Sequence, residues 1–213
     1  MNNLTSRLLE KNFVPDFLIR SGIRDLLAKR LSDETKPTQE LQQQHLMEII
    51  AELKNSPIAI ETKAANQQHY EVPTEFFQLI MSKNMKYSSC YWEPSTLTLE
   101  DAETLALKIT CAHADLINGQ QILELGCGWG SLTMFMAANF PESKITAVSN
   151  SATQKKYIDQ CCHDRELKNV QVVTADMNDF SIDEKFDRVV SVEMFEHMRN
   201  YQMLLEKISG FLN

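Results

Sequence analysis

The 213-residue chain has no apolar run approaching the ~20 residues that a membrane-spanning helix needs, which excludes a transmembrane segment. It has no surplus of basic charge. Its 21 Lys and Arg stand against 29 Asp and Glu, a net charge of -8, which argues against nucleic acid or an anionic membrane as the main partner. The five cysteines, Cys90, Cys111, Cys127, Cys161 and Cys162, show neither zinc-ligand spacing nor a secreted disulfide framework. They read as buried or free thiols in a reducing compartment, so the expected location is the cytoplasm. The N-terminus lacks the pattern of a signal peptide, because Arg7, Glu10, Lys11 and Asp16 interrupt its apolar residues as in an amphipathic helix. What remains is an ordinary globular composition, 43% hydrophobic, with room for one well-cored domain and an appendage.

The stretch around which the chain is organised is Gln120 to Ser131, QQILELGCGWGS. A short apolar run ends in Glu124, and glycines then occupy alternate positions at Gly126, Gly128 and Gly130. This predicts a buried strand, a tight turn that exploits the freedom of glycine at positive φ, and a helix whose N-terminus favours polar or anionic groups. A nucleotide-like ligand is expected at the carboxyl end of that strand, in the crevice of an open α/β sheet. The dinucleotide fingerprint wants a third glycine at the sixth position of the turn, where Ser131 stands. The alternating pattern instead resembles motif I of the class I S-adenosylmethionine-dependent methyltransferases, in which the turn lies under the amino-acid part of the cofactor. An ordinary strand-to-helix turn is the plain alternative.

Residues 1 to about 66 read as helical and carry no such turn chemistry. Phe17, Leu18, Ile23, Leu26, Leu27 and Leu31 are expected to share one face of a helix starting near Pro15, with Leu46, Ile49, Ile50 and Leu53 as the buried stripe of a second. We therefore expect a helical cap over residues 1–66 and a second domain over 67–213. Pro73 opens a helix carrying Phe76, Phe77, Ile80 and Met81. Thr98 with Asp101 caps a helix expected to reach Ile117 and stop at Asn118-Gly119. Three further strands are predicted at Lys144–Ser149, Val170–Ala175 and Asp187–Val192, with a helix capped by Ser151 after the first of them. Strands alternating with helices give a parallel, doubly wound sheet. Glu124, Asn150, Asp176 and Glu193 close successive strands, and ligands bind outside the carboxyl ends of such strands.

Four stretches then occur in order: HYEVPTEFF from His69, KYSSCYW from Lys86, ELGCGWGS, and VVSVEMFEHMRNY from Val189. Together they resemble the cyclopropane fatty acid synthase group of S-adenosylmethionine-dependent methyltransferases, and most of all its branch of coclaurine N-methyltransferase-like enzymes. The resemblance implies a class I Rossmann-like parallel sheet with S-adenosyl-L-methionine as cofactor. It implies Tyr87, Ser88, Gly126, Gly128, Asn150, Gln154 and Asp176 against that cofactor, with Glu124 and Gly130 completing the turn. It further implies that Glu196 and His197 handle the proton of an amine acceptor, with Glu193, Tyr70 and Glu71 lining the acceptor pocket. A class I sheet has seven strands, so with only four strands and one more helix predicted here the chain is expected either to be a fragment of a longer protein or to lack the remaining strands.

Physical chemistry agrees with those roles in part. An amide after the second strand can bind ribose hydroxyls, and the Asp176 carboxylate can accept from an adenine amino group, although a turn cap would also explain Asp176. Carboxylates at Glu193 and Glu196, three residues apart beside His197, can attract a cationic amine and remove its proton before a methyl group is transferred. A metal site at the same three residues lacks a second histidine at suitable spacing. The alternative substrate is an unsaturated lipid, as in the cyclopropane synthases. Against it stand Glu193 in place of their glycine, MRNY without their glycine after the Glu-His pair, and Ser89 where their cysteine sits. A non-catalytic, truncated cofactor-binding protein is the third reading.

Overall fold

The computed structural model describes residues 3–60 and 73–213, which form two compact units, Met1–Glu52 and Leu53–Asn213. The first is helical: α1 (Asn3–Glu10), α2 (Asp16–Glu34) and most of α3 (Gln39–Asn55). Pro15 stands at the N-cap of α2, where its fixed φ and missing N–H cost nothing. Gln42 ties the α2–α3 connection by accepting from the Lys36 amide at 2.9 Å and donating to the Glu34 carbonyl at 3.3 Å.

The apolar stripes expected on these helices are not buried. Neither α2 nor α3 has a buried residue, and Leu26, Leu31, Leu46 and Ile49 are all exposed. For α2 the reason lies in the spacing. Leu18 and Leu27 are nine residues apart, which at about 100° per residue puts them on opposite sides of the helix, so no single face gathers them.

The second unit holds the sheet. Its elements are α4 (Thr74–Ile80), α5 (Leu99–His113), β1 (Gln121–Leu125), α6 (Ser131–Asn139), β2 (Lys144–Ser149), α7 (Ala152–Asp164), β3 (Val170–Thr174), β4 (Arg188–Ser191), a short 3-10 turn at Phe195–His197 and α8 (Tyr201–Phe211). The four strands are all parallel in the order β3-β2-β1-β4. In register, Leu123 faces Thr146 on one side and Val189 on the other. Ile122, Leu123, Leu125, Ile145, Ala147 and Val190 are buried, as befits strands covered on both faces. The expected caps form, with Thr98 accepting from the Asp101 amide and Ser151 from Gln154, and Asn200 caps α8 by accepting from Met203.

Helix α5 stops at His113, short of the expected Ile117. Asp115 supplies the left-handed residue at φ 50°, the Leu116 amide donates back to the Cys111 carbonyl at 3.1 Å, and Arg188 Nε donates to the Ala114 carbonyl at 3.0 Å. The second unit also begins ahead of residue 66. Ile58 and Ala59 are buried in it, and the backbone of 54–59 is hydrogen-bonded to Asn178, Arg199 and Asn200.

Candidate active site

Beyond the carboxyl ends of β1, β2, β3 and β4 lies one cavity of about 440 Å³. The turn after β1 forms its floor. Gly126, Gly128 and Gly130 all take positive φ, at 77°, 53° and 78°, but they serve different ends. A Cβ on Gly126 would lie 2.9 Å from Met194 Cβ, and one on Gly130 would lie 2.6 Å from Ile158 Cγ1. Those two glycines let neighbouring elements close on the turn. A Cβ on Gly128 would meet nothing within 4 Å, so this glycine leaves open the face a ligand can approach. Gly130 does not line the cavity; among the expected cofactor residues of the turn, Glu124, Gly126 and Gly128 do.

The backbone amides divide in the same way. Gly126 and Cys127 both donate to the Val148 carbonyl, at 3.0 and 2.9 Å, which locks the turn to β2. Among the described residues the Gly128 and Trp129 amides make no hydrogen bond and remain for a ligand. Trp129 itself is buried, packed on Phe77 at 4.7 Å between ring centroids and on Tyr157 at 5.5 Å. Phe77 in turn meets Tyr87 edge to face, so this aromatic cluster holds the Tyr87–Ser88 segment against the turn.

Glu124 is 3% exposed at the end of β1 and lines the cavity. The Thr133 hydroxyl donates to its Oε2 at 2.6 Å. Burial pushes the Glu124 carboxyl up to about 8, partly offset by that hydrogen bond. After β2, Asn150 and Gln154 line the cavity. The Ser149 hydroxyl donates to Gln154 Oε1 at 2.6 Å, which fixes the amide, while Nε2 of this 2% exposed side chain has no partner among the described residues. After β3, Asp176 lines the cavity, and its Oδ1 accepts from the backbone and side-chain nitrogens of Asn178, both at 2.9 Å. The turn-cap role and a position on the cavity are therefore both realised.

Past β4 the acidic pair and the histidine line the same cavity. Glu193 has positive φ, 55°, which bends the chain so that Glu196 returns to hydrogen-bond it. That hydrogen bond and the like charge of Glu196 raise the Glu193 carboxyl, while Lys86 and His197 pull it down. Burial contributes less than either effect of Glu196, because Glu193, Glu196 and His197 are exposed. Among the described residues neither ring nitrogen of His197 is hydrogen-bonded. Tyr70 and Glu71 lie outside the described residues.

The sequence reading does not single out Lys86. It is half-buried on the cavity wall, donates to Ser88 Oγ and to the Ser89 carbonyl, and is pushed below its ordinary value by desolvation. Its place inside KYSSCYW was the available signal. Met194, Thr133 and Asn178 were also missed; Met194 meets Gly126 and Asn178 meets Ala59, partners distant in sequence, while Thr133 reaches Glu124 across the glycine turn.

Two observations bear on whether a nucleoside sulfonium would fit. The orphaned Gln154 amide and the two free turn amides offer donors for hydroxyl and carboxylate groups, and the open face at Gly128 admits the ligand backbone-close. Asp176, Glu193 and Glu196 give the cavity an excess of carboxylates over Lys86, which suits a cationic ligand. The residues present fit the group.

An open parallel sheet with a glycine turn and a carboxyl-end cavity of this kind defines the class I methyltransferase fold, and known proteins agree. Residues 59–213 match the mycolic acid cyclopropane synthetase family, to which the chain belongs. It is 38% identical over 204 residues to (S)-coclaurine N-methyltransferase of Thalictrum flavum subsp. glaucum, covering 96% of this chain and 56% of the relative. A cyclopropane-fatty-acyl-phospholipid synthase of Escherichia coli (strain K12) is 36% identical over 137 residues, 63% of this chain and 34% of its own. A crystal structure of coclaurine N-methyltransferase bound to N-methylheliamine and SAH superposes with a TM-score of 0.88 at 39% identity, covering 97% of this chain and 60% of that one. The chain thus spans well under two thirds of the length of these relatives.

Proposed function

We propose that the cavity binds S-adenosyl-L-methionine and that the protein methylates the nitrogen of a small-molecule amine. One observation carries this reading: the glycine turn and the Glu193, Glu196 and His197 group line a single cavity. The family match and the N-methyltransferase relatives support it. When bound, the cofactor supplies an electrophilic methyl group on a sulfonium.

The chain's own residues do the rest. Gly128 and the free amides of Gly128 and Trp129 receive the amino-acid end, Gln154 and Asn150 the ribose hydroxyls, and Asp176 the adenine amino group. Glu193 and Glu196 attract an ammonium and hold it near His197. An amine attacks only through a free electron pair, so the ammonium proton must leave first, and the carboxyl pair or the His197 imidazole can take it. Tyr87 and Ser88 close the wall between the two ends. The five cysteines, with no disulfide among the described residues, support a reducing compartment, the cytoplasm. No helix of the described residues is long and apolar enough to cross a membrane.

Calorimetry with S-adenosylhomocysteine tests the cofactor site, and methyl transfer to a tetrahydroisoquinoline amine tests the reaction. Binding, with transfer abolished by Glu196→Ala and His197→Ala, is the expected result. Transfer to unsaturated phospholipid and not to amines would replace the acceptor assignment with the lipid one. Binding without transfer to either would leave a cofactor-binding protein, and no binding would remove the reading altogether.

A further inference from the structure

The side-chain amide of Asn178 joins two parts of the cavity wall that are 119 residues apart in sequence. Its Oδ1 accepts from the Ala59 amide at 3.0 Å, and its Nδ2 donates to the Ala59 carbonyl at 3.0 Å and to Asp176 Oδ1 at 2.9 Å. Both amide protons are spent, so the orientation of the group is fixed by what it touches. Lys207 Nζ bridges the Met177 and Asn178 carbonyls at 2.9 Å each and holds the turn from behind.

The segment so held is a strap. Ile58 and Ala59 are buried, and Ala59 and Ile60 line the cavity. At its other end the strap is tied to the loop after the 3-10 turn: the Arg199 amide donates to the Ile58 carbonyl at 2.7 Å, and Asn200 Nδ2 donates to the Lys54 and Ser56 carbonyls at 2.9 Å each. A short stretch of backbone therefore runs from the Asp176 turn to the residues just past His197, with the Ala59 amide and carbonyl held at the first place and the Lys54, Ser56 and Ile58 carbonyls at the second.

We propose that Asn178 is a positioning residue: it transmits occupancy of the site at Asp176 to the 54–60 strap, and thereby to the Glu196–His197 loop to which the strap is tied. The inference rests on the assignment of Asp176 to the adenosine part of the cofactor. A ligand drawing on the Asp176 carboxylate fixes the oxygen that Asn178 grips. Asn178 then loses the freedom to release Ala59, and the wall beside the acceptor carboxylates becomes ordered. Two sites linked in this way must influence each other reciprocally.

Amide hydrogen exchange over peptide 54–60, with and without S-adenosylhomocysteine, reads the strap directly, and calorimetry reads binding in parallel. In the wild-type protein the ligand is expected to slow exchange at Ala59 by more than any gain in global stability against urea accounts for. In Asn178→Ala, exchange at Ala59 is expected to be fast and unresponsive to the ligand, with affinity reduced roughly five- to ten-fold, the lower end of ordinary couplings. Asn200→Ala, which frees the Lys54 and Ser56 carbonyls and spares the Ala59 clasp, should keep the response at Ala59.

Ligand binding without extra protection of Ala59 in the wild type overturns the coupling and leaves the cofactor assignment standing, even if Asn178→Ala fails to fold. A folded Asn178→Ala that keeps the full response overturns the role of Asn178. Failure of the wild-type protein to bind the ligand at all removes the cofactor assignment and this inference with it.

Discussion

Met194 Cβ lies 2.9 Å from the position that a Cβ on Gly126 would occupy, so the Met194 side chain of the loop carrying Glu193 and Glu196 packs directly on the glycine turn. The contact sets how far apart the two ends of the cavity stand. Gly126→Ala would force both a left-handed alanine and an overpacked contact, and we expect it to cost about 2–4 kcal/mol in urea unfolding. Adding Met194→Gly, which removes the Cβ that makes the contact, should relieve the steric part and leave the backbone part. The double variant is therefore expected to be more stable than the sum of the single effects predicts by at least ~0.5 kcal/mol. Strict additivity would show that the two residues do not press on each other.

Gly128 and Gly130 should separate in the same measurement. Gly130→Ala sets a methyl 2.6 Å from Cγ1 of the fully buried Ile158, so α7 must shift or the turn must open. Gly128→Ala meets nothing within 4 Å, and its stability cost should be only the ~1–2 kcal/mol of a left-handed L-residue. Its effect on S-adenosylhomocysteine affinity should nevertheless be large, because the added methyl stands on the open face. Calorimetry that finds Gly128→Ala binding as tightly as wild type would place the ligand elsewhere.

That the three glycines differ could not be read from their spacing. Alternation announced a turn, but Gly130 answers to Ile158 and Gly126 to Met194, partners that only the folded sheet brings near. Strands were the most legible elements, because β-branched runs such as KITAVS are bounded by polar residues, and Lys144–Ser149 appears with its expected ends. Caps at Thr98 and Ser151 were equally local. The end of α5 was not, since Asp115 takes the left-handed role expected of Gly119 and Arg188 caps from β4. Nor was the Asn178 clasp on Ala59, which has no local signature at all. The site residues past each strand were legible because topology alone puts them there.

The buried Glu124 gives the unliganded protein a pH-dependent stability. Its folded value, about 8, lies above the ordinary carboxyl value near 4.5, so the folded state holds the proton more tightly than the unfolded chain. The stability this contributes is complete below pH ~4.5 and is lost progressively as pH rises through about 8, amounting to several kcal/mol at most. Glu124→Gln keeps an acceptor for the Thr133 hydroxyl and carries no charge. It should remove this slope, becoming more stable than wild type at pH 8–9 and no more stable at pH 5, as read by urea midpoints at each pH. Parallel curves for the two proteins would mean that Glu124 does not titrate in this range.

Glu193 and Glu196 give the last test, and it does not depend on finding the acceptor. Glu196 raises the Glu193 carboxyl through a hydrogen bond and through like charge, whereas Lys86 lowers it. Glu196→Gln removes the negative neighbour, so Glu193 should ionise at lower pH than in wild type. Lys86→Met removes the positive neighbour, so Glu193 should ionise at higher pH. Carboxyl-carbon NMR titration of Glu193 reads both shifts, and their opposite signs are what an electrostatic origin requires. A common direction would mean that both substitutions act by rearranging the loop. If amine methylation follows the same proton, the acid limb of its pH profile should move down in Lys86-containing Glu196→Gln, by whatever activity survives, and up in Lys86→Met. The carboxyl pair would then be the group that prepares the amine, with His197 beside it to carry the proton away.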